Sequence, residues 1–307
     1  MSDLSILFPG QGSQEPGMGR DLAEKWTAAM DLWKFAEAES GLALREIYWD
    51  GDAAAMASTD ALQPALTVVN LSIWFYLKDS LKPAATAGHS LGEFASLGAS
   101  GILSAEDTLR AVCLRGKLMS QVANSDHGMA AVLKMSQSDV EDAVAFGASE
   151  SGKELRIANY NSPAQYVISG EKAAIDAAGT VIKERKGRAV PLPVSGAFHS
   201  PLIQEAADEF SAYLGKLHWN SPAFPVYFNV TAAPESNPER IKEIMRSQMT
   251  SSVRWIEIIS NQYDAGVRSF YELGPKGVLT KLLAANLKGK EFEGKDIGNL
   301  EKADSVK

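Results

Sequence analysis

The segment GHSLG, Gly88 to Gly92, has the form G-x-S-x-G, follows the short apolar run ATAG and opens the helical pattern LGEFASLGAS. Strand, tight turn and helix are the context that a nucleophile elbow requires. The glycines remove side chains where the turn crowds its neighbours. The turn then presents the Ser90 hydroxyl at the positive end of the following helix. A serine nucleophile needs a base, and the chain has four histidines. His89 adjoins Ser90, so its side chain points elsewhere and reads as turn packing. His127, after Asn124-Ser125-Asp126, reads as a loop residue at a junction between units, and His218, in KLHWNSP, as a helix-end residue. His199, in SGAFHSPL, falls where a small inserted unit returns to a larger one, and crevices between units are common places for sites. The residues alone leave the choice between His199 and these other readings open.

The stretch FPGQGSQEPGMG, Phe8 to Gly19, also follows an apolar run, LSIL. It is not a phosphate cradle. A dinucleotide fingerprint beginning at Gly10 and Gly12 meets Glu15 where its third glycine belongs. The P-loop spacing of Gly12 and Gly17 continues into Met18-Gly19 where Lys and Ser/Thr belong. Its free backbone N–H groups suit another anion. A carbonyl attacked by Ser90 becomes an oxyanion, and the N–H of Leu91 is one donor for it. If both loops lie at the same carboxyl edge of a parallel sheet, the N–H of Gln11 supplies the second. An ordinary turn residue is the other reading of Gln11.

These groups need a scaffold. The chain has 307 residues, enough for about two domain-sized units, with 45% hydrophobic and 22% charged residues, the profile of a globular protein. Helical patterns run over about Asp21 to Ser40, with Leu22, Trp26, Met30 and Trp33 on one face, over Pro64 to Asp79, and from a cap at Ser104 to about Asn124. Their alternation with short strands predicts a parallel sheet covered by helices. From Gly128 the rhythm changes to strand, helix, strand, strand, helix, strand, the ferredoxin-like series, which predicts an inserted unit at 128–194. The first style then resumes: a helix after Pro201, a strand VYFNV, a helix PERIKEIMRSQ, a strand RSFYELG and a helix VLTKLLAANL. Beyond Lys288 the tail is charged and weakly patterned.

The N-terminus lacks the basic residue and apolar length of a signal peptide. LTVVNLSIWFYL is shorter than the roughly 20 residues that span a bilayer. A single cysteine, Cys113, excludes an internal disulfide, and its helical setting suggests a buried, inert thiol. A cytoplasmic location is the expectation. The net charge of -8 disfavours a nucleic-acid role. No cluster has zinc-type spacing. A monomer is the default expectation.

The segments FPGQGSQ, GHSLGE, RGKLM, NYNSP, AFHSP and Q-x-x-x-x-VRW occur in that order. Together they resemble the malonyl-CoA:acyl carrier protein transacylases of fatty-acid synthesis and the related acyltransferase domains of polyketide synthases, over nearly the whole chain to about residue 288. The resemblance implies an α/β fold: an α/β-hydrolase-like large domain with a parallel sheet, residues 1–127 and 195–307, and an inserted ferredoxin-like small domain, 128–194. It implies Ser90 as the acylated nucleophile, His199 as its base, and Gln11 and Leu91 as the oxyanion hole. It also implies that a backbone carbonyl near Gln248 orients the imidazole in place of an acidic third member. Arg115 matches the arginine that grips the free malonyl carboxylate through parallel hydrogen bonds. Without the family, Arg115 reads as a surface helix arginine. Phe198 matches the malonyl-selective form of its motif, where a bulky ring excludes a branched methylmalonyl group. The resemblance further implies that Gln248, with Met119 and Asn159 in the RGKLM and NYNSP segments, completes the substrate-binding set. Two departures stand out. Gly196 replaces a histidine common in polyketide members, and Ser252 replaces the proline that usually precedes VRW.

The implied reaction transfers malonyl from malonyl-CoA to the phosphopantetheine thiol of acyl carrier protein, with no metal or redox cofactor. A serine acyl hydrolase acting on thioesters, or a non-catalytic carrier-binding module, would share much of the pattern. Acyl carrier proteins are acidic and so is this chain, so docking needs a local basic patch. KERKGR, Lys183 to Arg188, is a candidate, with a solvated helix terminus as the other reading.

Overall fold

The computed structural model describes residues 2–52, 54–194 and 196–307. The expected return to the large unit at Ser195 lies outside the described residues. Leu4–Phe8 (β1) and Ala85–Gly88 (β2) are short apolar runs, almost wholly buried, as strands covered on both faces must be. They pair in parallel with Phe8 opposite Gly88, so the loops that leave them emerge side by side at one carboxyl edge. His127–Leu133 (β3), Leu155–Ser162 (β4), Gln165–Glu171 (β5) and Arg188–Pro191 (β6) form a separate sheet. Val226–Tyr227 (β7), Pro234–Glu235 (β8), Ser269–Leu273 (β9) and Glu293–Ile297 (β10) return to the first.

The first sheet has the order β10-β9-β1-β2-β7-β8 and is parallel except for β8, which runs antiparallel to β7. The second has the order β4-β5-β3-β6 and is antiparallel. Helices Gln137–Ser151 and Lys172–Glu184 connect its strands in the expected β-α-β-β-α-β series. The fold is mixed α/β.

The helix Ala105–Gln121 starts as its sequence dictates. Ser104 Oγ accepts from Asp107 N at 3.0 Å, and Glu106 and Asp107 occupy the positive first turn. One face, with Leu109, Val112 and Arg115, is buried, and the helix packs on Thr59–Leu77. The helix Gly92–Ala99 after the elbow is buried on every side.

Four expectations are corrected. The helix expected over Asp21–Ser40 is two, Arg20–Lys25 and Thr27–Ser40. The chain is extended at Trp26, where the indole meets the Tyr76 ring edge-on at 5.5 Å. The next helix begins at Thr59, five residues before Pro64. VYFNV is a strand only over Val226–Tyr227, because Asn229 turns away to serve the elbow. The tail is not unpatterned. Glu293–Ile297 adds a polar edge strand beside β9, and Leu300–Asp304 is a short helix capped by Asn299. An edge strand needs backbone pairing on only one side and tolerates exposed side chains, so it carries little hydrophobic signal.

Candidate active site

The elbow is built by exclusion. A Cβ on Gly88 would lie 1.9 Å from Gly92 C, and one on Gly92 would lie 2.0 Å from Phe8 O, so neither position admits a side chain. Between them Ser90 has φ 51°, a left-handed conformation that costs about 1–2 kcal/mol for a non-glycine residue. Asn229 holds the turn from both sides. Its Oδ1 accepts from Ser90 N at 2.7 Å, and its Nδ2 donates to Gly88 O at 2.7 Å.

The Ser90 hydroxyl lies 2.8 Å from His199 Nε2. His199 Nδ1 donates to Ser251 O at 2.9 Å and lies 3.3 Å from Gln248 O. Main-chain carbonyls only accept, so the proton belongs on Nδ1 and bare Nε2 faces the serine. Burial, joined by the charge of Arg115, lowers His199 to about 3. The carbonyls sit in the position that an acidic side chain would take in a triad.

Arg115 is buried, 1% exposed, yet no carboxylate lies within ion-pair distance of it among the described residues. Its Nη1 donates to Gln63 Oε1 at 2.9 Å, and its Nη2 reaches Gln248 Oε1 at 3.2 Å and Ser90 Oγ at 3.3 Å. Its Nε has no acceptor among the described residues. The guanidinium stacks 5.6 Å from the Phe94 ring centroid. Burial pulls it down to about 10, which leaves it a cation at neutral pH.

Ser90, His199 and Arg115 open onto a cavity of about 230 Å³ between the two sheets. Gln11, Leu91, Met119, Asn159 and Phe198 line it as well. The loop after β1 lies against the elbow: a Cβ on Gly10 would sit 2.3 Å from His89 O and 3.5 Å from Leu91 N. Gln248 is not on the cavity wall; it stands behind Arg115.

The two departures acquire reasons. A Cβ on Gly196 would lie 2.7 Å from the Phe198 ring, so glycine makes room for that ring to face the cavity. Ser252 Oγ donates to Ile157 O at 2.7 Å and pins the Gln248 loop to β4, where Val253 N also donates to Ala158 O.

The other histidines separate cleanly. His89 Nε2 meets Asn161 Oδ1 at 2.7 Å and its ring packs edge-on against Trp255. His127 opens β3 and His218 is exposed. Cys113 is buried, and burial pushes its thiol up to about 12. In KERKGR, Arg185 is bound by Asp139 and Asp142, which weakens the patch as a docking surface. Among the described residues no His/Cys/Asp/Glu cluster could hold a metal, and no helix is long and apolar enough to cross a membrane.

Sequence reasoning missed Gln63, Glu93 and Asn229. Glu93 stood in view as the last letter of GHSLGE. Gln63 and Asn229 gave no signal, because each lies far along the chain from the group it holds.

The acyl transferase domain family matches residues 6–303. A protein of Synechocystis sp. named malonyl CoA-acyl carrier protein transacylase is 37% identical over 302 residues, 98% of each chain. The structure also resembles that of an acyl carrier protein S-malonyltransferase from Vibrio cholerae, at 36% identity and TM-score 0.93 over 100% of both chains. It resembles equally a malonyl-transacylase solved in complex with its type II PKS acyl-carrier protein, at 31% identity and TM-score 0.93 over 99% of each. An elbow serine paired to a buried histidine, matched nearly end to end by these relatives, means that the chain belongs to the acyl transferase family and, within it, to the malonyl-CoA:acyl carrier protein transacylases.

Proposed function

We propose that this chain transfers the malonyl group of malonyl-CoA to the phosphopantetheine thiol of acyl carrier protein through a malonyl-serine intermediate. The observation that carries the reading is Arg115, a fully buried guanidinium without a carboxylate partner among the described residues, 3.3 Å from the Ser90 hydroxyl. The nearest carboxylate, Glu93, is held one amide away behind Gln248, so a direct ion pair on the serine side is left for a ligand to supply. An acyl group ending in a carboxylate supplies it at the required distance from the serine.

Ser90 Oγ attacks the thioester carbonyl as His199 Nε2 takes its proton. The oxyanion accepts from the Leu91 and Gln11 amides. On collapse the C–S bond breaks and CoA leaves with the proton from His199. The carrier thiol then gives its proton to His199 and attacks the ester, and Ser90 recovers its proton as the malonyl thioester departs. Phe198, Met119 and Asn159 shape the acyl cavity, and Gln248 supports Arg115 from behind. The scheme uses no metal or redox cofactor. The site would close between a large unit, 1–127 with 195–307, and a small unit, 128–194, in a cytoplasmic monomer. Lys183, Lys186 and Arg188 are exposed and remain candidates to meet the acidic carrier.

The test is a rapidly quenched incubation with malonyl-CoA and no acceptor, followed by mass analysis of the peptide holding Ser90. A malonyl adduct that carrier protein discharges is expected. Loss of thioester to water without acceptor would turn the reading to a hydrolase, and no adduct with the thioester left intact would overturn both.

A further inference from the structure

Glu93 lies in the first turn after the elbow and is 0% exposed. Its Oε1 accepts from Asn229 N and its Oε2 accepts from Gln248 Nε2 at 3.0 Å. The same Nε2 donates to Ser90 O at 2.9 Å, and at the other end of the amide Oε1 accepts from Arg115 Nη2 at 3.2 Å. The amide therefore lies between a buried carboxylate and a buried guanidinium. Turned over, it would set its NH2 against the guanidinium and its oxygen against both the carboxylate and the Ser90 carbonyl. An ionised carboxylate only accepts, so Glu93 adds to the Ser90 carbonyl and the guanidinium in favouring one of the two orientations.

We propose that Glu93 is a positioning residue for acyl-group selectivity: it locks the Gln248 carboxamide with its oxygen toward Arg115 and so holds the guanidinium where a substrate carboxylate can meet it. The inference rests on the transferase reading above. It reaches the carboxylate-binding group and spares the acyl chemistry for a geometric reason. His199 Nδ1 has Ser251 O at 2.9 Å, closer than Gln248 O at 3.3 Å, so the base keeps its acceptor when Gln248 shifts. Asn229 keeps its own bonds to Ser90 N and Gly88 O, so the elbow stays tied.

Burial raises the Glu93 carboxyl to about 7, so at pH 8 it carries its charge. Glu93→Gln keeps the size but must set an NH2 against either the Asn229 N–H or the Gln248 NH2. Gln248→Leu removes the amide itself. Both variants, the double variant and Glu93→Asp are compared with the unaltered protein at pH 8. The donors are malonyl-CoA and acetyl-CoA, and the acceptor is holo acyl carrier protein. In Glu93→Gln, kcat/KM for malonyl falls about 10- to 100-fold while that for acetyl changes by less than about threefold. Gln248→Leu shows the same selective loss, the double variant loses no more than either, and Glu93→Asp, which only accepts, regains part of the preference.

Equal losses for both donors would make Glu93 a structural residue and overturn the inference. So would an unchanged malonyl-to-acetyl ratio, or additive losses in the double variant. If Glu93→Gln does not fold, Gln248→Leu and Glu93→Asp are read together: a ratio unchanged in either overturns the inference, and a ratio lowered in both supports it. Failure of the unaltered protein to form malonyl-Ser90 is a different result, since it removes the transferase reading and the inference with it.

Discussion

Ser90 Oγ lies 2.8 Å from His199 Nε2, and each residue reaches that position on left-handed backbone, with φ 51° and 58°. Neither conformation would persist unless its surroundings over-determined it. Asn229 fixes the serine turn, and the bond from His199 N to Met249 O at 3.1 Å fixes the histidine. The pair is therefore pre-set for proton transfer before substrate arrives. Ser90→Ala should fold, form no acyl adduct on the elbow peptide and lose at least about 10⁴-fold in kcat. Quenched mass analysis and steady-state rates check it, and an adduct elsewhere on the chain would move the nucleophile.

His199 is neutral over an unusually wide range. Its folded value is about 3, against about 6.5 for an exposed histidine. A neutral serine-reactive fluorophosphonate, which has no carboxylate to involve Arg115, should label Ser90 at a rate without a limb near pH 6.5. The stability effect has a definite sign. Between about 6.5 and 3 the unfolded chain binds a proton at His199 that the folded chain refuses. The contribution is complete above pH 6.5 and is lost as pH falls through that window, which urea midpoints at successive pH values would register. Malonyl transfer brings in a second group. Glu93, buried at about 7 and facing the charge of Arg115 through Gln248, should gain a proton below that value, so the malonyl profile should fall where the fluorophosphonate profile stays flat.

Much of this site is written locally. GHSLG announces a turn because two glycines flank the one side chain the turn must expose, and the Ser104 cap announces the helix that carries Arg115. The ferredoxin-like series is legible because its periodicity switches within a short span. What stays hidden is pairing between distant segments. Asn229 looks like part of a strand until Gly88 and Ser90 are seen to claim its amide. Gln63 stands one residue before the helix expected from Pro64, and only the fold brings its oxygen to Arg115. The polar strand Glu293–Ile297 is recognisable only by its neighbour, β9.

Arg115→Ala tests the carboxylate grip directly. The substitution leaves Gln63 Oε1 and Gln248 Oε1 without their donor and empties the space beside Ser90. Sites built to pair a charged or polar group reject analogues lacking it by large factors, so kcat/KM for malonyl should fall about 10³-fold or more. Acetyl transfer should rise, because no cation is then stranded when a neutral acyl group binds. Competition between the two CoA donors measures the ratio, and an unchanged preference would remove Arg115 from the site.

Gly10 and Gly92 separate catalysis from folding at nearly the same place. A Cβ at Gly92 would meet Phe8 O at 2.0 Å and Phe8 C at 2.7 Å, where the elbow helix presses on β1. Neither backbone can yield, so Gly92→Ala should cost about 3 kcal/mol or more and yield little folded protein. A Cβ at Gly10 would meet His89 O at 2.3 Å, but here one partner is a loop at the sheet edge that can lift away. Gly10→Ala should therefore fold with a modest loss in Tm while the Gln11 amide moves off the position where the oxyanion forms. Loss of one such donor costs about 10²- to 10³-fold in kcat. Substrate affinity should change little, since the amide is needed only once the carbonyl has been attacked. A Gly10→Ala enzyme with normal kcat would show that the loop after β1 contributes no donor to the reaction.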